Sequence, residues 1–131
     1  MKVLWSLILV CAPTWAAAAP TPEAARAAQA FSDQARAHYE GGRFEEAVAA
    51  YLQAYDRSPE PLLLKNAIKV LAVHIGDCEQ TIRLGDDYLA TGPERGRAEE
   101  IAGFMGECLL RDAERARADA RWDEAQAALG R

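Results

Sequence analysis

Cys78 and Cys108 carry the clearest chemistry in this chain: two thiols thirty positions apart. They can close a loop as a disulfide, or stay free as small buried hydrophobes. Other reactive groups are sparse. His38 and His74 are the only histidines, so a four-ligand metal site would have to draw carboxylates from scattered positions, and no metal is expected. Ser32 falls inside a helical pattern and Ser58 stands before a proline, with no histidine and acid arranged to activate either. Gly103 and Gly106 also sit in a helical pattern, which is not a phosphate loop. Glu45-Glu46, Asp86-Asp87 and Glu99-Glu100 are sequence neighbours and diverge around a helix, as solvated faces do. No catalytic set, cofactor or small-molecule substrate is expected; the chemistry on offer is that of a binding surface.

The compartment bears on the cysteines. Met1-Lys2, the apolar run Val3 to Val10 and the small residues Ala16 to Ala19 have the layout of a secretory leader, with cleavage after Ala18. Cys11, Pro13 and Thr14 interrupt the run before it reaches the length of a membrane span. This gives a leader over 1–18 and one helical domain over 19–131. Export to the periplasm or beyond favours the Cys78–Cys108 bridge over free thiols. The alternative is a small structural subunit of the cell envelope, lipid-anchored through Cys11; Val10, which is not small, argues against it. Net charge is −5, and −6 without Lys2. That balance disfavours nucleic acid, whose binding rests on neutralising phosphates.

Helices must position everything else. Thr21-Pro22-Glu23 supplies a hydroxyl cap, a proline at the first helical position and an acid in the first turn. That helix stops at Gly41-Gly42. A second is expected from Phe44 to Arg57, ended by Ser58-Pro59. A third opens at Pro61 and carries Leu62, Leu63, Leu64, Ala67, Ile68, Leu71 and Ile75; as the most apolar, it should be the most buried. A fourth covers Cys78 to Ala90, closed by Gly92-Pro93. A longer helix starts near Glu94, its apolar stripe thins beyond Leu110, and a short last helix runs from Trp122 to Leu129. No segment alternates at period two, so no strand is expected.

These elements repeat. Gly42, Phe44, Ala47, Val48 and Pro59 are answered 34 positions later by Gly76, Cys78, Thr81, Ile82 and Pro93. Arg43-Phe44-Glu45-Glu46-Ala47 is echoed again by Arg121-Trp122-Asp123-Glu124-Ala125. A period of 34 suits a helix-turn-helix unit. The first unit, about 28–61, resembles a tetratricopeptide repeat: Ala35, Ala47 and Ala54 at the small positions, Tyr39, Phe44 and Tyr51 at or beside the large ones, Gly42 at the turn and Pro59 at the end. In the second, about 62–95, Gly76, Thr81 and Pro93 fit, while Lys69 and Tyr88 replace small residues and Gly85 an aromatic. The third, about 96–131, fits only around Arg121 to Ala125, with Trp122 and Ala125 at packing positions. The leader and the cysteine pair are similar to those of short exported repeat proteins of Gram-negative bacteria.

The resemblance implies an all-α stack of antiparallel hairpins, two and a half to three repeats, whose first helices line a groove for a protein or peptide. Groove candidates are Gln29, Ser32, Arg36 and Tyr39 from the first unit and Leu63, Asn66, Val70 and Val73 from the second. Family members that grip a terminal carboxylate use Lys, Arg and Asn there, roles open to Arg36, Asn66 and Lys69 or Lys65. The bland alternative is solvated charge beside an apolar helix. Trp122 is expected to fill the core position of Phe44. Should the last helix be too short to cover it, Trp122 and Leu129 form a patch for self-association at the C-terminal end.

Overall fold

The computed structural model describes residues 18–130, all helix and connecting turns. Residues 1–17 of the expected leader, Cys11 among them, and Arg131 lie outside the described residues. Five helices follow in order: α1 (Pro22–Glu40), α2 (Phe44–Arg57), α3 (Pro61–Val70), α4 (Cys78–Ala90) and α5 (Arg95–Leu129). A π-turn, Leu71–Ile75, extends α3. No helix among the described residues is long and apolar enough to cross a membrane.

The punctuation works as its chemistry dictates. Thr21 Oγ1 accepts the Ala24 amide at 3.1 Å and opens α1. Gly42 and Gly76 turn the chain at φ 72° and 75°, in the left-handed region that a Cβ disfavours. Phe44 and Cys78 then each begin a helix, so the 34-residue spacing returns the same structural role. Pro59 and Pro93 each follow a helix that has ended.

α1 folds back on α2, bringing Ala28 near the start of one against Ala54 near the end of the other. Ala35, Ala47 and Ala54 are 0 % exposed. Side chains that small let the two backbones approach closely. Leu63 of α3 joins Ala28 and Ala54, with Phe31, Tyr51 and Tyr55 around them. The main core lies further along, where Leu64, Ile68 and Leu71 meet Val48 of α2, Leu84 and Tyr88 of α4 and Ile101 of α5. As expected, α3 is the most buried helix.

The expected disulfide is present: Cys78 and Cys108 are bonded, their Cα atoms 5.1 Å apart. It ties the first residue of α4 to the middle of α5.

Two expectations fail in the third unit. There is no third hairpin; α5 runs unbroken for 35 residues through the segment read as a turn and a new helix. Nothing between Gly106 and Gly130 can stop a helix, since that stretch holds no glycine or proline. Trp122 accordingly does not repeat the half-buried setting of Phe44. It is 65 % exposed, Leu129 is 88 % exposed, and Ala125 is exposed too. Beyond Arg111, whose guanidinium still reaches Cys78, the helix projects from the body.

Candidate functional site

The face shared by α1 and α3 is concave, and its residues come from positions the local folding leaves outside the core. Ala28 and Ala35 turn α1's small side into the packing, which leaves Gln29, Ser32 and Arg36 on the face toward α3. One depression of about 230 Å³ is lined by those three with Ala25, Glu60, Leu62, Leu63 and Asn66. A second of about 200 Å³ adjoins it, lined by Tyr39, Tyr51, Asn66, Lys69 and Val70. Asn66 belongs to both, so the two form one furrow.

The furrow's polar groups are few and of one sign at its second end. Lys65 is engaged elsewhere: its Nζ lies 2.6 Å from Glu100 Oε2 on α5. That hydrogen bond, before any other influence, holds the Glu100 carboxyl below its ordinary range. Lys69 and Arg36 form no ion pair among the described residues, which makes Lys69, not Lys65, the lysine open to a ligand. Burial pushes the Tyr51 hydroxyl up, and the Arg36 guanidinium opposes this, as expected of groups sharing one small space. No carboxylate lines the second depression.

At the foot of the furrow three rings fasten α1 to the π-turn. His74 stacks on Phe44 with centroids 4.2 Å apart. A hydrogen bond of 3.1 Å joins Tyr39 Oη and His74 Nε2, and Tyr39 meets Phe44 edge-on at 5.7 Å. His38 is occupied as well, since Arg43 Nε donates to its Nδ1 at 3.0 Å. Both imidazoles therefore serve the packing around the first turn.

Among the groove candidates, the structure brings Gln29, Ser32, Arg36, Tyr39 and Asn66 together along the furrow. Val70 and Leu63 belong instead to its floor: both are buried in the core and offer a ligand only an edge. Val73, 55 % exposed, lies outside both depressions. Tyr51, read from sequence as a packing residue, lines the furrow too. Its partial burial is the kind of signal that only α1's position reveals.

No family model, curated protein or solved structure matches this chain. The furrow's own geometry is what remains to argue from.

Proposed function

We propose that the chain is an exported, non-catalytic interaction module whose α1–α3 furrow holds an extended peptide or terminal segment of a partner protein. The observation that carries this is the meeting of Arg36, Asn66, Lys69 and the two tyrosines in one concave strip on an otherwise acidic protein. A planar carboxylate suits that set: a guanidinium and an ammonium supply charge, and Asn66 and the Tyr51 phenol supply donors. The small-residue packing of α1 on α2 and the turns repeated at 34 residues support a tetratricopeptide-like architecture for the first two hairpins. The disulfide supports export, because reducing compartments keep such thiols open.

The test is peptide binding by fluorescence anisotropy, comparing an array of peptides with free C-terminal carboxylates against the same peptides amidated. The furrow reading expects binding that amidation weakens and that Arg36→Ala with Asn66→Ala abolishes. Binding indifferent to both changes would move the site to another face.

A further inference from the structure

From Ala118 onward, α5 carries a seam on its exposed, projecting half. Ala118, Trp122, Ala125 and Leu129 follow one another at spacings of four, three and four, which keeps them on one side of a helix. Not one of them touches the body: all are exposed, and the large pair, Trp122 and Leu129, are among the most exposed apolar side chains in the described residues. We infer that this seam pairs with the same seam of a second copy of the chain, antiparallel across a two-fold axis.

The size pattern selects both the occupant and the direction. With the axis midway between Asp123 and Glu124, Trp122 faces Ala125 of the second copy and Leu129 faces its Ala118. Each layer then sets a large side chain against a small one, which fills space without a collision. A parallel pair would instead place Trp122 against Trp122 and leave the alanine layers hollow. Two-fold symmetry makes the patch self-complementary, as an isologous contact requires. The geometry is also free of obstruction, since the seam's centre lies about 23 Å along the helix from Cys108, the last buried residue of α5.

A seam this short predicts a weak dimer, with Kd on the order of 10–100 μM. Sedimentation velocity of the purified chain over a concentration series reads it directly. Trp122→Ala should weaken association about thirtyfold, as loss of a buried aromatic anchor does. Because Trp122 makes no contact within its own chain, circular dichroism should show the fold intact. Ala125→Trp should also weaken association, by forcing tryptophans together, whereas the double variant Trp122→Ala with Ala125→Trp restores the large-on-small layers and the dimer. A strictly monomeric parent, capture of Trp122 only by some other protein, or stronger association in Ala125→Trp alone would overturn the pairing.

Discussion

The two hairpins solve one packing problem in opposite ways. In α2 the larger side chain, Tyr51, stands at the furrow and Ala54 is buried against α1. Thirty-four residues later the sizes are exchanged: Gly85 replaces the tyrosine and Tyr88 the alanine, and Tyr88 is 1 % exposed in the main core. Volume removed at one position returns a turn later. Met105 of α5 occupies the space at Gly85, so that a Cβ there would meet its Sδ at 2.5 Å. Total volume and the helical period are kept while the individual positions are not, which is how a core tolerates change. The first hairpin combines close backbone approach with partly buried rings at its edges; the second buries a large ring in the main core and is clasped to α5 by the disulfide.

Removing that ring should cost most. Tyr88→Ala is expected to lower stability by about 3–5 kcal/mol in urea unfolding, the range for emptying a buried aromatic site. A loss near 1 kcal/mol would mean that α4 and α5 collapse readily around the gap, and the contrast between hairpins would shrink. The paired change Cys78→Ser with Cys108→Ser should cost about 3–4 kcal/mol by freeing a loop of roughly thirty residues in the unfolded chain. Hydrogen exchange would sharpen the result: protection should fall in α4 and α5 first and persist in α1 and α2.

Smaller effects test the first hairpin and the acid side. Ala47→Leu, which inserts bulk where α1 and α2 nearly touch, is expected to cost about 1–3 kcal/mol in thermal unfolding. Little effect would show that the helices can separate. In α4, the backbone amide of Gln80 bonds the Asp77 side chain at 3.0 Å and holds its carboxyl below the usual range. Glu100 is lowered by Lys65 in the same direction. For a carboxylate whose folded pKa is depressed, the stability it adds is present above its unfolded pKa and is lost as pH falls through the folded one. Unfolding midpoints should therefore be level near neutrality and drop below about pH 4. Asp77→Ala should flatten part of that drop and cost about 1 kcal/mol as a lost cap. An unchanged acid profile in this variant would take Asp77 out of the account.

Turns and caps were the most legible part of the sequence, because Thr21-Pro22, Gly42, Ser58-Pro59 and Gly76-Asp77 each carry a local physical reason to start or stop a helix. The third hairpin was misread for the converse reason. Arg121-Trp122-Asp123-Glu124-Ala125 copies the composition of a helix start, but no residue before it breaks the helix already running. The π-turn has no sequence signature; it is visible only in the bond from the Gly76 amide to the Leu71 carbonyl, 2.7 Å. The furrow was legible where burial is decided within one helix, as at Arg36 and Asn66. Leu63 and Val70 line it from a buried floor, while Val73 lies outside both depressions, a difference set by how α3 and the π-turn sit against α2.

The sulfur clasp also fixes how the molecule bears load. A pull applied to the far end of α5 reaches Cys108 and crosses directly to Cys78, bypassing the chain between them. Most of α4 and the buried start of α5 are thus shielded from tension, and the load falls on α1, α2 and α3, which lie outside the bridged loop.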